Sequence, residues 1–137
     1  MTGKEFERLF CRVLQNCGYW AVNIPPNEWG AQPFDVLAIH GSYMLAADCK
    51  VCSASASFPM ERVEDNQWMA FEVMNRRTNA DIGLAIYVAE KGEVRWVSYN
   101  TLKCARDSDV KSIKISNMSV MYSAEEIAKL IGGHKEG

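Results

Sequence analysis

Hydrophobic positions along the chain switch between two periods. Phe6, Leu9, Phe10, Val13, Leu14 and Cys17 recur at helical spacing. Thr2-x-x-Glu5 in front of them is a capping box, and Gly18 supplies the stop. Tyr19 to Ile24 then reads as a strand, followed by a loop over Pro25–Gly30. Phe34–His40 and Tyr43–Val51 are two strand-like runs, and Gly41-Ser42 between them suits a type II′ hairpin turn. Ser53–Pro59 is small and polar and is expected to form a mobile loop. Glu61–Arg77 reads as a second helix, on which Val63, Gln67, Ala70, Phe71 and Met74 share one stripe. Ile82–Ala89 and Val94–Ser98 form a further hairpin across Glu90–Glu93. Thr101–Ala105 suits a helical turn, and Lys111–Ser116 and Ser119–Tyr122 suit edge strands. Ser123-x-x-Glu126 caps a last helix that runs to Gly132-Gly133.

The order α-β-β-β-α-β-β predicts an α/β fold with a central mixed sheet flanked by helices. No repeat or long linker divides it, so residues 1–137 are expected to form one domain. Both faces of the Phe34–Val51 hairpin are apolar. One carries Phe34, Val36, Ala38, Tyr43, Leu45, Ala47 and Cys49; the other carries Leu37, Ile39, Met44 and Ala46. These strands are expected at the centre of the sheet, covered on both sides.

The hairpin register yields a specific juxtaposition. If Gly41-Ser42 is the turn, His40 faces Tyr43, and counting outward places Asp35 opposite Asp48. Opposed residues share a face with Cβ atoms about 4.5–5.5 Å apart. Lys50, two residues on, shares that face. Two like charges on an apolar face repel and raise at least one pKa. A divalent cation removes the conflict, and oxygen ligands with room for water suit Mg²⁺ or Mn²⁺. Lys50 is then placed to stabilise a phosphate oxyanion or hold an attacking water. Read alone, Asp35 could be a turn residue after Pro33, and Asp48 and Lys50 an exposed strand end. Glu7 lies at the edge of the first helix's apolar stripe, where it could lean over the sheet or be solvated. Gln67 interrupts the apolar stripe of the second helix, so it is either half-exposed beside Trp68 or a buried amide in need of partners.

Composition narrows the function classes. With 48% hydrophobic residues, four Trp and a net charge of −2, the chain of 137 residues reads as a folded domain, not a disordered one. No apolar run reaches the roughly 18–20 residues of a membrane helix. Met1–Glu5 passes at once into a charged helix, unlike a secretory leader, so a cytoplasmic protein is expected. The pI near 5.7 argues against a sequence-blind DNA coat. A nuclease of this charge needs a local basic surface. Arg8, Arg12, Arg62, Arg76, Arg77 and the group Lys103, Arg106, Lys111 and Lys114 are the candidates. Cys49 and Cys52 form a C-x-x-C, but no second close pair completes a zinc site.

Gly3-x-x-x-Glu7-Arg8, Pro33-Phe34-Asp35 and Asp48-Cys49-Lys50, in that order, resemble the PD-(D/E)xK nucleases, in the branch of archaeal and RecU-like Holliday junction resolvases. Ser57-Phe58-Pro59, Asp65-Asn66-Gln67 and Ala80–Ile86 extend the resemblance toward RecU, over roughly residues 3–100. The resemblance implies a restriction-endonuclease-like core. It implies that Asp35 and Asp48 bind metal through side chains, Cys49 through its backbone carbonyl, and that Glu7 completes the cluster. Lys50 would be the catalytic lysine, and Gln67 would support the cluster. The implied protein is an Mg²⁺-dependent endodeoxyribonuclease that acts as a homodimer on four-way DNA junctions, in a bacterial or phage-infected cytosol.

Two features depart from the family. Asp48 stands where Glu is usual, one methylene shorter. The segment from Cys17 to Asp35 is short for the projecting stalk of RecU proteins. Two alternatives therefore stay open: a restriction- or repair-type nuclease on duplex or flapped DNA, and a DNA-binding module without catalysis.

Overall fold

The computed structural model describes residues 1–26, 32–53 and 57–132. Helix α1 (Gly3–Asn16) is opened by the reciprocal Thr2–Glu5 capping box. Strand β1 (Trp20–Asn23) follows the turn at Gly18, whose φ of +94° is open to glycine at little cost. Strands β2 (Val36–His40) and β3 (Tyr43–Cys52) form the hairpin, with His40 facing Tyr43 and Val36 facing Ala47. Gly41 has φ +60° and Ser42 is not left-handed, as a type II′ turn requires.

Beyond β3 come β4 (Ser57–Pro59), a 3₁₀ turn at Met60–Arg62, and helix α2 (Asp65–Arg77). β5 (Asp81–Val88), β6 (Glu93–Ser98) and α3 (Tyr99–Asp107) come next. The chain continues with β7 (Ser112–Lys114), a second 3₁₀ turn at Ile115–Asn117, β8 (Ser119–Tyr122) and α4 (Ala124–Gly132). The main sheet runs β1-β2-β3-β5-β6-β8, and β4 and β7 make a small second sheet. Only the β3–β5 pair in the main sheet is parallel, with α2 as its crossover.

This is the expected mixed sheet between helices. On one face α1 buries Phe6, Phe10 and Leu14 against Val36, Ala38, Leu45 and Ala47, with Ile127 of α4 beside them. On the other, α2 and α3 bury Phe71 and Leu102 against Ala46, Leu84, Ile86 and Val88, and Phe58 closes that core. β3 and β5 are central and covered on both sides, which explains their near-continuous apolar sequence.

Four local expectations change. The helix expected from Glu61 starts at Asp65, because Val63 is extended (φ −88°, ψ 111°) and is drawn into the core. Residues 57–59 of the expected loop are a strand, paired through Phe58 and Ile113 to a partner distant in sequence. Residues 54–56 of that loop, and 27–30 of the loop expected over Pro25–Gly30, lie outside the described residues. The turn expected at Thr101–Ala105 is a full helix capped by the Ser98 hydroxyl, which accepts the Thr101 N–H at 3.2 Å. Phe34, expected on the α1 side, packs in the opposite core. The regular β2–β3 ladder stops at Val36, and the bend at Asp35 breaks the alternation of faces there.

Candidate active site

Asp35 is held by its own backbone at the point where the ladder gives out. Its N–H donates to Ala47 O at 2.9 Å, and its C=O accepts the Ile24 N–H at 2.8 Å. In a regular strand both groups would face the same neighbour; here they serve β3 and β1. Preceding Pro33 has no N–H with which to continue a ladder. The bend re-aims the carboxylate, and Asp35 Oδ2 accepts the Cys49 N–H at 2.6 Å. Asp35 and Asp48 are thus brought together as the register predicts, through a bent residue and not through a regular opposed pair.

Asp48 sits in the middle of the central strand. It is 2% exposed. Gln67 Nε2 donates to its Oδ1 at 2.9 Å. Its Oδ2 lies 3.1 Å from the Lys50 ammonium but accepts no well-directed hydrogen bond. Burial, then the neighbouring Asp35 charge, push the Asp48 carboxyl up to about 8, and Lys50 offsets only part of this.

Gln67 is the third residue of α2 and acts in two directions. Its Oε1 accepts the Glu64 N–H at 3.0 Å, which caps the helix, and lies 3.4 Å from Lys50 Nζ. Its Nε2 serves Asp48. The helix end therefore fixes the amide orientation, and the amide fixes the carboxylate. Asp35, Asp48 and Gln67 are the only buried polar or charged residues among the described residues. Of the two sequence alternatives for Gln67, the buried amide is the one observed.

The remaining candidates are less close. The Glu7 carboxylate is 3.9 Å from Lys4 and lines a cleft with Gln32. Burial, then the Asp35 charge, raise its pKa, so it senses the cluster through space without joining it. The Cys49 side chain faces α1, and burial, then Asp35, raise its thiol pKa far above the usual value. Only its main chain faces the acids. Cys52 packs in the opposite core, so the C-x-x-C points to two faces of the sheet and is no metal pair.

The donor set suits a hard divalent cation. Two carboxylates converge, one oxygen lacks a hydrogen-bond donor, and the main chain of Cys49 adjoins them. Among the described residues no three acidic, histidine or cysteine side chains enclose an ion, so water would fill part of the shell, as Mg²⁺ prefers. One of the candidate basic residues has a place the sequence did not indicate. Arg62 lies against the end of β3, and only the 3₁₀ turn before α2 brings it there.

No family model matches the sequence, and no curated protein is significantly similar to it. Among solved structures the chain resembles Hjc, a Holliday junction resolvase of the hyperthermophilic archaeon Archaeoglobus fulgidus. The TM-score is 0.62 at 18% identity, over 93% of this chain and 99% of that one. The two proteins share a fold. The match to Hjc spans nearly all of both chains. No helix of the described residues is long and apolar enough to cross a membrane.

Proposed function

We propose that this chain is a metal-dependent, structure-selective endodeoxyribonuclease that cuts branched DNA, with the four-way junction as its substrate. One observation carries the reading. The only buried polar residues described are Asp35, Asp48 and Gln67, gathered beside Lys50. A stable core has no need of two acids there, since burying paired like charges is costly. The fold shared with a Holliday junction resolvase supports the substrate class.

Asp35, Asp48 and the Cys49 carbonyl would hold the cation, with Glu7 near enough to add negative charge. A bound Mg²⁺ or Mn²⁺ would supply Lewis acidity toward a phosphodiester oxygen and make water a better nucleophile at neutral pH. The chain's residues do the rest. Gln67, fixed by Glu64, orients the Asp48 carboxylate. Lys50 places a positive charge where a phosphate oxygen becomes more negative in the transition state. To hold the cation Asp48 would have to be deprotonated, so metal binding and deprotonation would be coupled. The product strand would carry a 5′-phosphate.

Symmetric cutting of a junction needs two sites, so the working unit is a homodimer. Sedimentation with DNA present is expected to show two chains per junction; a monomer at tens of micromolar would count against it. The function itself is tested by a panel of four-way junction, linear duplex and flap DNA in Mg²⁺. The junction is expected to be cut fastest. Preferred cutting of duplex or flap would favour a restriction- or repair-type nuclease. Binding without cleavage of any of the three would leave a non-catalytic module.

A further inference from the structure

Lys50 is not the last cation in its row. Alternation along β3 puts Asp48, Lys50 and Cys52 on one face, successive members about 7 Å apart at the rise of a strand. The third position is occupied by a guanidinium. Arg62 Nη1 lies 3.2 Å from Val51 O and 3.4 Å from Cys52 Sγ, and its Cζ stands 5.4 Å from the Phe58 ring centroid. These contacts pin a half-buried arginine at the end of the strand. They engage one terminal nitrogen, whereas a guanidinium carries five N–H donors. Among the described residues no carboxylate pairs with it. Beside it lies a shallow cleft of about 230 Å³ lined by Val51, Cys52, Ser53, Ser57, Pro59 and Arg62. The lining contains one cation, two hydroxyls and no acid, which is a donor set for a tetrahedral oxyanion.

We propose that Arg62, with Ser53 and Ser57, is a phosphate subsite. It holds the DNA phosphate next to the one presented to Lys50, and so sets which bond reaches the acids. The proposal rests on the nuclease reading above. A purely structural Arg62 would only hold Phe58 and the end of β3 in place, so the test must read contact with phosphate.

The measurement is DNA binding in Ca²⁺ by the full chain, for wild type, Arg62→Gln and Arg62→Lys. Affinity is followed against salt, and on junctions carrying one neutral methylphosphonate at successive positions around the cut. Arg62→Gln is expected to bind about ten-fold or more weakly at fixed salt, the loss of a charged hydrogen bond. Its log–log salt slope should shrink by roughly 0.9, one phosphate's share, while Arg62→Lys keeps the slope. Neutralising the adjoining phosphate should weaken wild type and leave Arg62→Gln unchanged. An unchanged slope in Arg62→Gln, with the same methylphosphonate profile as wild type, would overturn the subsite while the nuclease stands. If Arg62→Gln does not fold, the wild-type methylphosphonate profile decides, and a flat response at the adjoining phosphate overturns the proposal. Wild type that binds no DNA at all would overturn both readings together.

Discussion

Gln67 Nε2 donates to Asp48 Oδ1 at 2.9 Å, and this one bond ties the N-terminus of α2 to the middle of the central strand. Its other amide atom caps the same helix through the Glu64 N–H. Replacing Gln67 with Ala leaves Asp48 without its donor and the helix without its cap. The expected cost is about 1–3 kcal/mol of stability, the size of an unsatisfied buried group. The helix should persist, because Phe71 and Val63 remain in the core. Single-turnover cleavage should slow, but less than for Lys50→Ala. Wild-type stability and rate in Gln67→Ala would make the amide a bystander.

Asp48 gives the metal-free protein a distinctive pH dependence. The folded carboxyl titrates at about 8, against 3.8 unperturbed. Between those values the native form keeps a proton that the unfolded chain has lost, so stability falls as pH rises from about 4 to 8. Asp48→Asn removes that titration and the repulsion with Asp35. Its urea midpoint in EDTA should be flatter across this range and higher than wild type at pH 8. Parallel curves would mean that Asp48 is not the buried titrating group. Cleavage should be lost in Asp48→Asn and in Asp35→Asn, with folding intact.

The cation and the Asp48 proton should compete. Mg²⁺ is expected to raise the Tm of wild type, more at pH 8 than at pH 6. At 100-fold above Kd the stabilisation is about 2.7 kcal/mol. The double variant Asp35→Asn/Asp48→Asn should show no shift. An equal shift in that variant would place the bound ion elsewhere.

How far the site was legible follows from what each feature depends on. The Asp35–Asp48 meeting was readable because a two-residue turn sets the hairpin register, and His40 does face Tyr43. The bend that carries Asp35 was not, since it depends on β1 supplying the Ile24 N–H from outside the hairpin. Gln67 showed itself as a polar break in an apolar stripe. Arg62 stood out only as one basic residue among several, because its place depends on Val63 being pulled out of helical geometry by the core. The β4–β7 pair, joining Phe58 to Ile113, was invisible for a similar reason: short strands far apart in sequence leave no local pattern.

The sheet behind the site admits little change. A Cβ on Gly83 of β5 would lie 2.2 Å from Val97 O and 2.9 Å from the Trp96 ring. The first is backbone of the neighbouring strand and cannot turn away. Gly83→Ala should therefore cost about 1–3 kcal/mol or more, as overpacking does. A urea midpoint equal to wild type would show that β5 and β6 can separate freely there.

Lys50 offers the most direct test of the central claim, that this cluster performs phosphodiester chemistry. Its ammonium stands 3.1 Å from Asp48 Oδ2 and 3.4 Å from Gln67 Oε1, held among the acids and not out at a DNA-docking rim. The measurement is single-turnover cleavage of a four-way junction in Mg²⁺ by Lys50→Ala, beside a binding titration in Ca²⁺. The rate is expected to fall by roughly 100-fold or more, the scale of one lost electrostatic contact to a transition state. Affinity should change far less. A loss of binding as large as the loss of rate would make Lys50 a docking residue and contradict the assignment of the Asp48-Cys49-Lys50 strand as the catalytic one.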